Sequence, residues 1–297
     1  MNGFGSYHPI VLFTYYILAV CFSMVSMHPV IILASLVGGF LLFGAQNGWK
    51  KLLSEMGFFF LLFILMSIAN PLLIHNGETI LFFMNDNPIT LEAIIYGGMA
   101  ALMVVGVLLW CRCYGSVLTT DKFLYLFGKL IPKLGLILSM AFRFIPLFKQ
   151  QIRKISQSQK TMGLYASDSI TDKIGGGVRV FDSLVAWSME NSIDTADAMK
   201  ARGYGLPGRT NFTLFCFHKR DGVLLGLMGT LAVTIFICFG RGDFAFYYYP
   251  YVARVSWDSL SLLRYLLVLL FMCIPGILEI RESITWRYQT SRVGSRK

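Results

Sequence analysis

Charged residues are scarce in this sequence, and their scarcity excludes most soluble folds. Asp, Glu, Lys and Arg make up 14% of the 297 residues, against roughly 25% in a typical soluble domain. None of the four occurs before Lys50. Disorder is excluded too, because disordered chains are poor in apolar residues, whereas 56% of this chain is hydrophobic. The composition predicts an all-α integral membrane protein.

Cysteines and catalytic motifs are also few. Six cysteines are too few for a disulfide scaffold, and the pair Cys111 and Cys113 lacks a second pair or a nearby histidine to complete a zinc site. The sequence contains neither a G-x-x-x-x-G-K-[ST] phosphate loop nor an H-E-x-x-H metal motif. We therefore expect no enzyme activity, no metal site and no cofactor bound by this chain.

Six apolar segments predict about six transmembrane helices. A helix needs about 20 mostly apolar residues to cross the hydrocarbon core, and His28-Pro29 predicts a tight turn between the first two segments. The predicted spans are 10–25, 30–43, 56–74, 91–110, 222–239 and 259–280. The predicted domains are 1–112 (membrane helices), 113–221 (a cytoplasmic helical region) and 222–297 (membrane helices and a cytoplasmic tail).

The distribution of basic residues predicts the orientation. Cytoplasmic loops carry an excess of Lys and Arg, and such residues concentrate in the 112–221 region and in the tail after residue 280, with Lys50 and Lys51 between spans two and three. The 75–90 loop contains neither Lys nor Arg. We predict a multi-pass protein of a prokaryotic plasma membrane, in contact with lipid, with both termini cytoplasmic. This orientation explains the net charge of +10 without a nucleic-acid partner.

The 113–221 region is too polar to lie in lipid and predicts a platform of amphipathic helices. Gly163 and the glycines at 175–177 predict a flexible break, serving either as hinges or as ordinary loop residues. Asp182 is a suitable N-cap for the following helix, and Gly203 suits its C-terminal cap. The predicted helices are 134–146, 147–162 and 182–202.

Arg202 has two interpretations at this point. An arginine in the last turn of a helix often only complements the helix dipole. Alternatively, Ala201 permits close approach, Arg202 presents a forked donor and Gly203 ends the helix, so that the helix end docks into a groove on a partner protein. The spacing alone leaves both open.

Two motifs carry a family resemblance. Arg143-Phe144-Ile145-Pro146 is followed by a basic helix and then by Ala201-Arg202-Gly203-Tyr204. Together they resemble the T component of energy-coupling factor (ECF) transporters, the membrane family that includes the cobalt-uptake protein CbiQ. The resemblance covers most of the chain.

The resemblance implies a function and partners. A T component joins two cytoplasmic ATP-binding-cassette (ABC) ATPases to a small membrane substrate-binding (S) subunit that captures a vitamin or a metal ion. ATP is then bound by the partner subunits and not by this chain. Family members dock on the ATPases through Ala-Arg-Gly motifs at the ends of two coupling helices, and the second motif corresponds to Ala201, Arg202 and Gly203.

The first docking motif departs from the family pattern. It corresponds to Lys160, Thr161, Met162 and Gly163, where Thr161 and Met162 replace the usual Ala and Arg. Either Lys160 supplies a nearby charge or Met162 packs in an apolar groove, and the sequence favours neither.

The main alternative is a self-contained permease. Such a protein should carry paired ionisable residues near the membrane centre, and the first three predicted spans contain none. An intramembrane enzyme would need clustered catalytic groups within the spans, and the sequence shows no such cluster.

Overall fold

The computed structural model describes residues 3–74, 77–84, 87–163, 170–206 and 215–294. Within these ranges the chain forms nine α-helices and one antiparallel hairpin, whose strands β1 (Ile80–Met84) and β2 (Asn87–Thr90) lie between the third and fourth helices. The helices are α1 (Pro9–Val25), α2 (Pro29–Asn47), α3 (Trp49–Leu73), α4 (Leu91–Val117), α5 (Thr120–Leu130), α6 (Pro132–Thr161), α7 (Ile170–Ala201), α8 (Lys219–Gly240) and α9 (Ser259–Gly294).

Five of these helices are long and apolar enough to cross a membrane, namely α2, α3, α4, α8 and α9. The apolar helix α1 is shorter, with 17 residues. Each of the six predicted spans coincides with one of these helices. The prediction of an all-α, multi-pass membrane protein is therefore confirmed.

Two His-Pro pairs begin the first two helices. The Nδ1 atom of His8 accepts a hydrogen bond from the amide of Ile10, and that of His28 accepts one from the amide of Val30, each at 3.3 Å. The proline that follows each histidine needs no acceptor in the first turn. The turn predicted at His28-Pro29 is confirmed, because α1 ends at Val25 and α2 begins at Pro29.

The chain divides into two compact units. The membrane unit takes in the chain up to Phe123 and from Phe215 onward, and the insert unit runs from Leu124 to Leu214. The domain boundaries predicted from the sequence, at 112 and 221, stay predictions.

Glycines allow close helix packing in the membrane unit. A Cβ atom on Gly38 of α2 would lie 2.6 Å from the carbonyl oxygen of Met272 in α9, and one on Gly276 would lie 3.3 Å from Cβ of Leu41. Small residues of this kind let transmembrane helices approach backbone to backbone. Large aromatic side chains complete the buried core: Phe4, Tyr15, Phe22, Trp110 and Phe271.

Pro275 lies inside α9 and has no amide hydrogen for the carbonyl of Phe271 one turn earlier. The buried hydroxyl of Tyr15 donates instead, at 3.3 Å to the carbonyl of Phe271 and 3.2 Å to that of Met272. The helix therefore continues through the proline with this buried carbonyl satisfied.

The insert unit contains α6 and α7, and both differ from the prediction. The predicted helices 134–146 and 147–162 form one continuous helix, α6, with Pro146 inside it. Proline removes one backbone hydrogen bond but does not prevent the helix from continuing, and the rings of Phe144 and Phe148 stack across it with centroids 5.8 Å apart.

The break predicted at 175–177 is also wrong, because all three glycines lie inside α7. The helix begins at Ile170, so Asp182 lies in its interior and is not its N-cap. A glycine lowers helix stability by only about 1 kcal/mol, and the rest of this long helix offsets that cost. Residues 164–169 lie outside the described part of the chain.

Candidate functional site

The end of α6 forms the first of two comparable helix ends. The amide of Met162 donates to the carbonyl of Ser158 at 3.2 Å, and the amide of Gly163 donates to the carbonyl of Lys160 at 3.1 Å. Gly163 has a φ of +70°, a left-handed conformation that glycine adopts at no steric cost. The helix thus ends at Thr161, two residues before the glycine that the sequence indicates.

The end of α7 forms the second. The amide of Gly203 donates to the carbonyl of Lys200 at 2.9 Å, the amide of Tyr204 donates to that of Met199 at 3.0 Å, and Gly203 has a φ of +79°. These two bonds define a Schellman motif with glycine in its left-handed position. The predicted cap at Gly203 is therefore confirmed as a backbone feature.

The side chains at the two ends differ. Met162 is 67% exposed and apolar, and the hydroxyl of Thr161 donates back to the carbonyl of Ser158 at 2.8 Å. Ala201 and Arg202 are exposed at the other end. Each end also carries an exposed lysine three residues before its glycine, Lys160 or Lys200. The Nζ atom of Lys200 lies 3.4 Å from Oδ1 of Asp197.

The two ends lie at opposite ends of an antiparallel helix pair. The rings of Phe148 in α6 and Trp187 in α7 meet edge to face with centroids 5.9 Å apart. Met140, which precedes Phe148 in α6, and Met199, which follows Trp187 in α7, line the same groove. The two helices therefore run in opposite directions. At about 1.5 Å per residue, each glycine lies more than 20 Å along its helix from this aromatic contact.

The groove between α6 and α7 is apolar and has a volume of about 340 Å³. Leu136, Met140 and Phe144 form one wall, and Met199 and Tyr204 contribute to the other. This groove was not predicted from the sequence, although Leu136, Met140 and Phe144 follow the four-residue spacing of an apolar helical stripe, which was the available signal.

The Arg143-Phe144-Ile145-Pro146 motif lies in the middle of α6 and is not next to either glycine end. Phe144 lines the groove, while Arg143, Ile145 and Pro146 are exposed. The motif is thus divided between the apolar wall and the outer surface of the helix.

The described residues contain no group of three or more His, Cys, Asp or Glu side chains placed to hold a metal ion. The α7 end offers a guanidinium with five donors beside the ammonium of Lys200, and the α6 end offers a thioether, a hydroxyl and the ammonium of Lys160.

Comparison with known proteins identifies related chains. Residues 8–213 match the CbiQ family, described as "Cobalt transport protein". The energy-coupling factor transporter transmembrane protein EcfT of Lacticaseibacillus paracasei is 32% identical over 106 residues, which are 35% of this chain and 39% of the relative.

Two relatives from Listeria are similar as well. EcfT of Listeria innocua is 33% identical over 108 residues, 36% of this chain and 41% of that protein. EcfT 1 of Listeria monocytogenes is 27% identical over 186 residues, 59% of this chain and 70% of that protein. The chain thus covers about two fifths of the first two relatives and more of the third.

Proposed function

Because the chain belongs to the CbiQ family, the transmembrane T components of energy-coupling factor transporters, we propose that it is the coupling subunit of an ECF-type importer. In this proposal it binds two cytoplasmic ABC ATPases and a small membrane S subunit, which captures the vitamin or metal ion. The chain itself hydrolyses nothing and binds no cofactor, and ATP is held by the ATPases.

The observation that carries the proposal is the pair of glycine-terminated helix ends. Each has a glycine with positive φ whose amide donates to the carbonyl three residues earlier, and the two lie at opposite ends of the antiparallel pair α6 and α7. Two similar projections, each more than about 20 Å from the central aromatic contact, suit a partner that is present in two copies better than a single binding site. Each projection would enter a groove on one ATPase.

The mechanism is then mechanical. ATP binding draws the two ATPases together, and the docked helix ends follow them. Because α6 and α7 are long continuous helices, displacement at either end is carried along the whole helix and changes the surface available to the S subunit. The basic residues of the insert and tail support a cytoplasmic position for this machinery and for both termini.

Purification of the tagged protein in mild detergent from its native cells tests the proposal. We expect two ABC ATPase chains and a small membrane protein to be recovered in stoichiometric amounts, and the small protein would indicate the substrate. Recovery of the chain alone, together with solute transport by the isolated chain in vesicles, would replace the proposal with the permease hypothesis.

A further inference from the structure

The segment Gly3–His8, here called the clamp segment, is held to α9 by a buried carboxylate. Both carboxylate oxygens of Glu279 accept backbone hydrogen bonds, from the amide of Gly3 at 3.1 Å and from that of Phe4 at 2.7 Å. Glu279 is only 5% exposed, and Phe4 is completely buried. A carboxylate buried this deeply requires such donors, because an unpaired buried charge is strongly destabilising.

The same segment is bonded to the place where the chain leaves the membrane unit. The ammonium of Lys122, one residue before the unit ends at Phe123, donates to the carbonyl of Gly5 at 2.6 Å and to that of Val117 at 3.0 Å. Partial burial lowers the pKa of Lys122 from its usual value. The lysine thus ties the end of α4 to the clamp segment.

The clamp segment is also bonded to the place where the chain returns. Asp221, 4% exposed, accepts from the amide of His8 at 3.1 Å and from that of His218 at 2.8 Å. The rings of His8 and Phe217 meet edge to face with centroids 5.2 Å apart. Phe217 and His218 directly follow the point where the membrane unit resumes, at Phe215.

We propose that the clamp segment couples the two points where the chain crosses between the membrane unit and the insert unit, with Lys122, Asp221 and Glu279 as the positioning residues. Lys122 and Asp221 contact the segment at Gly5 and His8, three residues apart. Displacement at one crossing therefore moves the other through a short, hydrogen-bonded link that is partly buried at Gly5 and buried at His8. Glu279 fixes the far end of this link to the last transmembrane helix.

The hydrogen bonds that link the clamp segment to Lys122, Asp221 and Glu279 all lie within the membrane unit, and they are the structural part of this proposal. Its mechanical consequence, that motion of the insert unit reaches the spans as one coordinated displacement, rests on the proposed function. Two separate experiments distinguish these parts.

Hydrogen exchange on the protein in lipid nanodiscs tests the structural part. Lys122→Met removes the ammonium and keeps the aliphatic stem. We expect exchange to accelerate by roughly fivefold or more at the amides of His8 and His218, which Lys122 does not touch. The control is Lys133→Met, at an exposed lysine, and it should leave both amides unchanged.

Acceleration confined to the Val117–Phe123 backbone in Lys122→Met would overturn the proposal. If this variant is not recovered folded, Asp221→Asn is measured in the reverse direction, because coupling between two sites is reciprocal. Exchange at the amides of residues 4–6 and 118–123 should then accelerate, and no change there would also overturn it. Lys122→Arg keeps the charge and donors and should restore slow exchange.

Transport measured together with ATP hydrolysis tests the mechanical consequence in the reconstituted complex. Lys122→Met leaves both helix ends intact, so we expect normal recovery of ATPases but at least twofold less substrate moved per ATP. An unchanged ratio would refute the mechanical role. Failure of the wild-type chain to recover any ATPase would refute the proposed function instead, and the exchange result would still decide whether the clamp segment links the two crossings.

Discussion

The ends of α6 and α7 have different side chains but a similar glycine cap, because each glycine amide donates to the carbonyl of the lysine three residues earlier. Each has a lysine, two intervening residues and a glycine with positive φ, at +70° for Gly163 and +79° for Gly203. The intervening pair is Thr161-Met162 at one end and Ala201-Arg202 at the other. The glycine cap therefore forms with either pair of intervening residues.

The difference suggests unequal contacts with two partner subunits. A guanidinium can form two parallel hydrogen bonds with a carboxylate, whereas a methionine offers only dispersion and apolar burial. If the two ends dock on ATPases as proposed, we expect the α7 end to contribute more binding free energy than the α6 end.

Arg202→Glu should have the largest effect. Reversing the charge at the α7 end removes the forked donor and places a like charge opposite any acidic partner, so recovery of ATPases should fall at least roughly tenfold. The measurement is quantitative co-purification at fixed salt. Arg153→Glu makes the same charge change at an exposed position on the body of α6 and should reduce recovery far less; equal losses would mean that only net charge matters.

Gly203→Ala should have the next largest effect. The new Cβ must adopt positive φ and would lie 3.1 Å from Cδ1 of Leu206, at a cost of about 1–2 kcal/mol. Faster exchange of the Gly203 and Tyr204 amides would report the loosened cap. Gly163→Ala is the matched variant, because a Cβ there meets none of the described residues within 4 Å. Its smaller effect would separate steric contact from backbone strain.

Met162→Arg tests whether the α6 end tolerates the family residue. If this position faces an ATPase groove, recovery should be unchanged or rise by a few fold, about 1 kcal/mol or less. A clear loss of complex would instead show that Met162 packs in an apolar contact. Co-purification of this variant in the Arg202→Glu background would show whether a second arginine compensates for the first.

Gly177→Ala should have the smallest effect and a favourable sign. The residue lies in α7, and within the described part of the chain a Cβ there meets nothing closer than 4 Å, so alanine should stabilise the helix by about 0.5–1 kcal/mol. Slower amide exchange around residue 177 would support a continuous helix carrying the Arg202 end. Reduced transport without reduced ATPase recovery would revive the hinge hypothesis.

The spans and the helix ends could be predicted from the sequence because their signals are local. In lipid, the backbone amide and carbonyl groups of a long apolar run can form their hydrogen bonds within a helix. A glycine after a basic last turn strongly indicates a helix end, as at Gly203. The continuity of α6 and α7 could not be predicted in this way. Pro146 and the glycines at 175–177 disfavour helix locally, but tertiary and whole-helix contributions exceed such costs.

The clamp segment was missed for a different reason. Glu279 and Gly3 lie 276 residues apart in the chain, and no local pattern indicates that they meet. The apolar groove beside Phe144 likewise depends on the relative register of two helices. Whether Arg202 and Met162 contact an ATPase stays a prediction.

The hydrogen bond of the Tyr15 hydroxyl affects the order in which the membrane core can be completed during synthesis. Its acceptor on Met272 is 257 residues further along the chain. At roughly 5–20 residues per second, the ribosome reaches that acceptor about 13–50 s after Tyr15 has been made. During that interval α1 is present without α9, so its buried tyrosine requires a temporary partner from water, lipid headgroups or the insertion machinery. Completion of the membrane core must therefore wait for the last helix.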